Sequence, residues 1–422
     1  MTTNVALKRV ARVRYGLGQP PSISDEGIPI LRATNITRGK ITERGLLRAK
    51  VEDLPLDRAP LLNEGEILVV RSGAYTGDSA RITGEWVGSA PGYDLRVTPQ
   101  TVDSRYLAHV FLSSRFQDQI NLASSRAAQP HLNAEELGEV ELWLPCVDEQ
   151  RRIADFLDVE TARIDKIQAL RERQTRLIDE SAITRAFDAV RGLEIQGSRR
   201  DSGLQWLGSV PSEWRVAAVS HFFEVELGKM LNQDRTSGDY LRPYLRVANV
   251  QWDEIDVQEL ALMDFPPDEQ QRYRLQKGDL LVCEGGSWPG RAAVWDGQVE
   301  EIYYQKALHR IRSRGEDLPR WLYYCLLVAE RMRVFAVQGN SSTITHLTRE
   351  QLRPQRFPFP DIATQRSIVA TLDQAAERDR AVRDLLQKQL TVLAERRQAL
   401  ITAAVTGQFD VTTASGRGVD AS

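Results

Sequence analysis

"LPCVDEQRRIADFLD", residues 144–158, returns far down the chain as "FPDIATQRSIVATLD", residues 359–373. Setting Gln150 on Gln365 fixes an offset of 215 residues and also brings Pro145 onto Pro360, Arg151 onto Arg366, Ile153 onto Ile368, Leu157 onto Leu372 and Asp158 onto Asp373. The same register carries Glu180 onto Glu395 and Ala189, Val190 and Gly192 onto Ala404, Val405 and Gly407. Upstream it lays "HLNAEEL" (131–137) over "HLTREQL" (346–352). Further upstream the copies diverge but stay in step. "EGEILVVRSG" (64–73) faces "KGDLLVCEGG" (277–286), and "ILRATNI" (30–36) faces "YLRVANV" (244–250), one or two residues off register. A period of half the chain indicates duplication of a whole unit rather than a solenoid of short repeats.

Each copy has two parts. The first, roughly 1–145 and 200–360, contains short apolar runs punctuated by Gly, Pro and Asn, with one helix expected in "SRYLAHVFLSSRFQDQI" and one in "PRWLYYCLLVAERMRVF". That is a mixed α/β globule. The second part, about 148–191 and 363–405, has no proline and no internal glycine, and Gly192 and Gly407 stand where a helix C-cap glycine belongs. Two long helices are expected, each about 60 Å long at about 1.5 Å rise per residue.

Heptad steps from Leu157 give Ile164, Arg171, Ile178 and Arg185; steps from Leu372 give Asp379, Leu386, Leu393 and Leu400. Ile153 and Ile167, with Ile368, Ala375 and Val382, fill the intervening positions. A partly apolar stripe on each copy is naturally covered by the other copy, with Arg171 and Asp379 as polar breaks. Antiparallel packing of the pair gives an internal pseudo-twofold; a parallel pair would set the globules side by side. The expected class is α+β, two mixed α/β domains joined by two long antiparallel helices. The corresponding boundaries are 1–145, a spacer helix 146–192, 193–360, a second spacer helix 361–410 and a mobile tail 411–422.

The 422 residues carry a net charge of -3, with 42% hydrophobic and 27% charged residues. This is a globular composition with room for more than one core. A protein that coats nucleic acid regardless of sequence is usually basic, so any DNA-binding surface here must be local or shared with a partner. No apolar run reaches about 18 residues and the N-terminus lacks a secretory core, which points to the cytoplasm and away from membranes. Cys146, Cys283 and Cys325 stand singly among apolar neighbours, as buried reduced thiols would, with no metal-ligand spacing.

No catalytic constellation emerges. "VELGKML" (225–231) lacks the glycine spacing and the Ser or Thr of a phosphate loop, and "DFPPDEQ" (264–270) reads as a turn. "RSGAYTGDSA" (71–80) and "EGGSWPGRAAVW" (284–295) occupy matching places after an apolar strand, without the spacing of a dinucleotide loop. They are either tight turns of the fold or loops that approach phosphates and base edges. Their candidates are Arg71, Ser72, Tyr75 and Thr76 in the first copy and Ser287, Trp288 and Arg291 in the second. "SSRAAQPHLN" (124–133) and "GNSSTITHLT" (339–348) add Gln129 and His131, and Ser342, Thr343 and Thr345. His131 and His346 read as structural before catalytic.

The duplicated "LP...EQ..I...LD" run, the "ILRATNI" and "YLRVANV" pair, "DSGLQWLGSVPSEW" (201–214) and "QALITAAVTGQFDV" (398–411) together resemble the specificity subunit of type I restriction-modification enzymes, over nearly the whole chain. The resemblance implies two target recognition domains that each read half of an asymmetric, bipartite double-stranded DNA target. It implies spacer helices that dock two methyltransferase subunits, joined by restriction subunits. It also implies a chain with no activity or cofactor of its own, within a complex that uses S-adenosylmethionine, ATP and Mg2+ on the partner subunits. One departure is a short N-terminus, which leaves the first strand of the first domain in doubt. The alternatives are a recognition component of another multi-subunit DNA methyltransferase, a single-chain modification enzyme, or a coiled-coil scaffold that does not bind DNA.

Overall fold

The computed structural model describes residues 3–19, 21–124, 131–230, 237–285, 289–337 and 346–414. Two units emerge, residues 1–172 with 386–422 and residues 173–385, so each long helix is divided between them.

In unit 1 an antiparallel four-stranded sheet has the order Ala11–Tyr15, Leu95–Pro99, Ile67–Val69, Ser79–Arg81. A three-stranded sheet of Leu47–Ala49, Ile28–Leu31 and Ala90–Pro91 accompanies it. Unit 2 repeats both orders, with Phe223–Leu227, Leu308–Ser313, Leu280–Cys283, Ala292–Val294 and with Ala261–Asp264, Leu241–Leu245, Tyr303–Tyr304. The short N-terminus still supplies its strand. Thr3–Ala6 pairs antiparallel with Glu141–Leu144, as Arg215–Ala218 pairs with Arg356–Phe359.

Each expected globule helix is broken. In unit 1, Ser113 in extended backbone separates Ser104–Leu112 from Ser114–Ser124. In unit 2, Arg333 at φ +56° stands between Pro319–Arg331 and Val334–Val337. Cys283 and Cys325 are buried as expected; Cys146 is exposed, because it lies at the turn that opens the first long helix.

The long helices run Val147–Val190 and Ile362–Val405, 44 residues each. Both end in the same glycine cap. Gly192 and Gly407 adopt φ of +62° and +73°, and the next N–H reaches back to Asp188 O (2.9 Å) or Ala403 O (3.0 Å). A Cβ on Gly192 would lie 2.7 Å from Trp214, and one on Gly407 2.9 Å from Trp143. Past the second cap, Val411–Ala414 form a helical turn with Val411 buried in the unit 1 core, so the expected mobile tail is anchored at its start.

Within each unit the long helices pack antiparallel. In unit 1, Ile153 and Leu157, early in the first, share a core with Ile401, Ala404 and Val405, late in the second. In unit 2, Ala186 and Val190 share a core with Val369 and Leu372. Of the heptad positions, Ile153, Leu157, Ile164, Leu372 and Leu386 are buried, while Ile167, Ile178, Ile368, Leu393 and Leu400 are half-buried. Val382 is 45% exposed and does not belong to the seam. An undistorted helix drifts about 20° per heptad against a strict repeat. Between Leu372 and Leu386 the stripe is interrupted by ion pairs, Asp379 with Arg185 and Arg383 with Asp179.

The repeated residues converge where each globule meets its long helix. Gln150 is buried; its Oε1 accepts from Asp103 N (2.9 Å) and its Nε2 donates to Pro145 O (2.8 Å). Gln365 does the same with Leu318 N (3.0 Å) and Pro360 O (3.0 Å). Arg105 donates to Asp158 (3.2 Å) and Arg320 to Asp373 (2.8 Å). His109 and Tyr324 donate to those same carboxylates at 2.7 and 2.6 Å. Tyr106 Oη donates to Trp143 O (2.6 Å) and Trp321 Nε1 to Pro358 O (2.9 Å). Every one of these partners is displaced by 215 residues between the copies. The sequence therefore returns because one hydrogen-bonded joint is built twice.

Candidate nucleic-acid interface

In unit 1 the strand Ile67–Val69 runs out into a loop closed by Val70 N to Asp78 O and Gly77 N to Val70 O, both 2.8 Å. Gly73 and Gly77 adopt φ near +90°, and a Cβ on Gly77 would lie 2.8 Å from Ile120. The first loop residue, Arg71, is fixed from several sides. Its guanidinium carbon lies 4.8 Å from the Tyr15 ring centroid and 4.4 Å from that of Tyr93. Its Nη2 donates to His131 Nε2 at 2.9 Å, which makes that ring nitrogen the acceptor, because arginine has only donors. Its backbone C=O accepts from Leu132 N at 2.8 Å, and its backbone N–H donates to Asp94 Oδ1 at 3.1 Å.

Burial pushes the Asp94 carboxyl above its ordinary pKa, against the backbone N–H groups of Arg71 and Ala33 and the charge of Arg71. Tyr15 and Tyr93 are 47% and 52% exposed. The result is a cation stacked on two rings, with its orientation set before any ligand arrives. Beside it opens a largely apolar cavity of about 390 Å³ lined by Leu17, Ile30, Arg32, Ser72 and Tyr93 among others.

Unit 2 repeats the frame with other side chains. Leu280–Cys283 runs into Glu284, whose C=O accepts from Leu347 N at 2.7 Å, as Arg71 O accepts from Leu132 N. Cys283 N to Arg291 O and Gly290 N to Cys283 O close the loop at 2.8 and 2.9 Å. The N–H of Glu284 donates to Ala307 O (2.9 Å), a neutral carbonyl, where Arg71 meets a carboxylate. Leu227 pairs with His309 as Tyr15 pairs with Leu95, so a leucine replaces the first ring. A Cβ on Gly285 would lie 2.6 Å from His346 Nδ1, so a larger residue there would have to displace that exposed ring. His309 is buried, which lowers its pKa, against its bond to Leu347 O and the charge of Glu284.

The structure brings Arg71, Ser72 and His131 together; Ser72 bridges to His131. Tyr75 lies in the same loop at 58% exposed, and Thr76 Oγ1 donates to Gly73 O (2.8 Å). Arg291 instead donates Nη1 to Gln251 (3.0 Å) and Nη2 to Val247 O (3.0 Å), so both terminal nitrogens serve the unit 2 frame. Gln129, Ser287, Trp288, Ser342, Thr343 and Thr345 lie outside the described residues. Tyr15, Tyr93, Asp94 and Glu284 were not picked out from the sequence. For Glu284 the signal was present, since "VVRSG" and "VCEGG" set it opposite Arg71. For the tyrosines there was none, because strand pairing alone brings residues so far apart together.

The chain matches the family described as "Type I restriction modification DNA specificity domain" twice, over residues 22–173 and 211–388. Among curated proteins it is 22% identical over 379 residues to the type I restriction enzyme EcoKI specificity subunit of Escherichia coli (strain K12), covering 87% of this chain and 78% of that protein. It is 21% identical over 405 residues to the StySPI specificity subunit of Salmonella potsdam, covering 92% and 83%. Among solved structures it superposes with TM-score 0.73 and 16% identity on a chain from a study of complex assembly and conformational transition in the type I R-M system, covering 97% and 98%. The HsdS subunit from Thermoanaerobacter tengcongensis follows with TM-score 0.52 and 17% identity, covering 97% of each chain.

Proposed function

The chain belongs to the type I restriction-modification DNA specificity family, as the specificity subunit of such a system, and on that premise we propose that its two units read the two unlike halves of one bipartite double-stranded DNA target. The observation that carries this reading is a single frame built twice with different side chains on its loops, Tyr15, Arg71 and Tyr93 in one copy and Leu227 and Glu284 in the other. Sequence is read through side chains aimed at base edges, so unlike side chains on like frames read unlike bases.

The long helices offer the second surface. In unit 1, Val159, Leu170 and Val392 stand exposed on them, and in unit 2 Leu177, Val382 and Leu385 do. Exposed apolar side chains repeated along a helix fit helices of a partner. The partners proposed are two methyltransferase subunits, with restriction subunits completing the complex. Chemistry is assigned to those partners, with S-adenosylmethionine, ATP and Mg2+ bound there and this chain contributing recognition only.

Sequencing adenine methylation in a host that expresses this chain with its cognate methyltransferase tests the proposal. One methylated motif is expected, two unlike specified halves around an unspecified gap. Methylation without such a motif, or methyl transfer by the purified chain alone, overturns it.

A further inference from the structure

Arg71 and Glu284 occupy one position of the repeated frame. Each follows an inner strand of its four-stranded sheet, and each accepts through its backbone carbonyl the N–H of the leucine in a His-Leu pair, Leu132 or Leu347. The side chains carried at that position are opposite in charge and in hydrogen-bonding capacity. A guanidinium has five donors and no acceptor; an ionised carboxylate accepts only.

We infer that this position is a base-reading position in both units, with Arg71 reading a guanine in one half of the target and Glu284 reading a cytosine amino group in the other. The inference rests on the reading of the chain as a DNA-specificity subunit and goes further, to the bases. A phosphate clamp needs a cation in both copies, because a carboxylate is repelled by the DNA backbone. Glu284 therefore removes phosphate anchoring as the shared role of the position. Base edges accommodate both side chains. Guanine presents two acceptors, O6 and N7, that match an arginine fork, and cytosine presents the N4 amino donor that a carboxylate accepts.

The surroundings fit these roles. Arg71 is held between the Tyr15 and Tyr93 rings and by His131, an orientation that bidentate reading needs and a point-charge contact does not. Asp94, against its backbone N–H, balances the cation from the protein side, whereas the N–H of Glu284 meets the neutral Ala307 carbonyl. The charge of Glu284 acts on the buried His309 ring of the neighbouring strand.

The test is methylation mapping of the assembled complex carrying Arg71→Lys, Arg71→Gln or Glu284→Gln, beside the unaltered complex. Arg71→Lys keeps the charge and loses the fork; Glu284→Gln keeps the shape and gains a donor. Both Arg71 variants are expected to relax one G·C position in one half-site. Glu284→Gln should relax one C·G position in the other half-site. The discrimination lost at each should be roughly 5- to 150-fold, equivalent to the about 1–3 kcal/mol of a good base contact. The untouched half-site, still read with its original letters, reports in each case that the complex is folded and assembled. Letters unchanged in all three variants overturn the assignment and leave the functional reading standing, as does a uniform loss over all sequences. An unaltered complex that methylates without a bipartite motif overturns the functional reading, and the assignment with it.

Discussion

The joint between globule and long helix and the loop after the inner strand Ile67–Val69 or Leu280–Cys283 lie in the same copies of the same fold, yet the first repeats almost bond for bond and the second does not. Gln150 and Gln365 bridge equivalent backbone groups, and Asp158 and Asp373 collect equivalent donors. At the loop, the backbone bond to Leu132 or Leu347 persists while an arginine becomes a glutamate. The joint must satisfy buried backbone groups whichever DNA is read, so its residues have little freedom. Side chains outside that network are less constrained by it. On the proposed reading, recognition is located where the two copies differ.

Four experiments break or sharpen this contrast. The largest effect is expected from four residues inserted in each long helix at the boundary between the units, after Glu172 and after Leu385. Each insertion adds about 6 Å, about two base-pair steps. Methylation mapping should then find both half-site sequences intact around a gap about two base pairs longer; an altered half-site with an unaltered gap would remove the helices as the spacing element.

Next in size is Trp321→Ala in the unit 2 joint. Trp321 is fully buried and its indole donates to Pro358 O, so urea unfolding should report a loss of about 3–5 kcal/mol. A loss below about 1 kcal/mol would show that the joint does not carry unit 2.

Gln150→Leu and Gln365→Leu should each cost roughly 1–3 kcal/mol, because each strands one half-buried backbone N–H and one buried C=O. Gln365→Leu should cost more than Gln150→Leu, because Gln365 Nε2 also donates to the Asp317 carboxylate (2.7 Å), where the first copy has Val102. Equal costs, measured by the same unfolding experiment, would mean that the Asp317 bond contributes nothing.

The smallest effect separates the copies by pH. Burial opposes ionisation of Asp158, but the His109 bond and charge and the Arg105 guanidinium outweigh it and hold its pKa below the ordinary 3.8. A depressed carboxylate stabilises the fold above that ordinary value, and the contribution is lost as pH falls through the lower folded value. Asp158→Asn should therefore lower the unfolding midpoint at neutral pH, with the gap to the unaltered chain closing below pH about 4. In unit 2 the corresponding donor is Tyr324, whose phenol is pushed up by burial and keeps its proton throughout this range. A gap that stays constant with pH would refute the role given to Asp158.

Covalent order and periodicity were enough for the duplication, the two long helices and their glycine caps, because a proline-free stretch of 44 residues ending in Gly has few other solutions. The equivalence of Gln150 and Gln365 was legible too, though its cause, two backbone groups in a distant turn, was not. The seam was legible only in part. A heptad count placed Val382 inside, whereas the observed helices meet there through Arg185 with Asp379 and Asp179 with Arg383. At the candidate interface the sequence supplied Arg71 and His131 but attached equal weight to Arg291, whose terminal nitrogens are taken up by Gln251 and Val247. Only the pairing of Ala11–Tyr15 with Leu95–Pro99 brings Tyr15 and Tyr93 around Arg71, and only the loop closure puts Glu284 in the same place. Local periodicity records which face of an element is buried, while the company a polar side chain keeps depends on non-local strand register, which no single stretch of sequence contains.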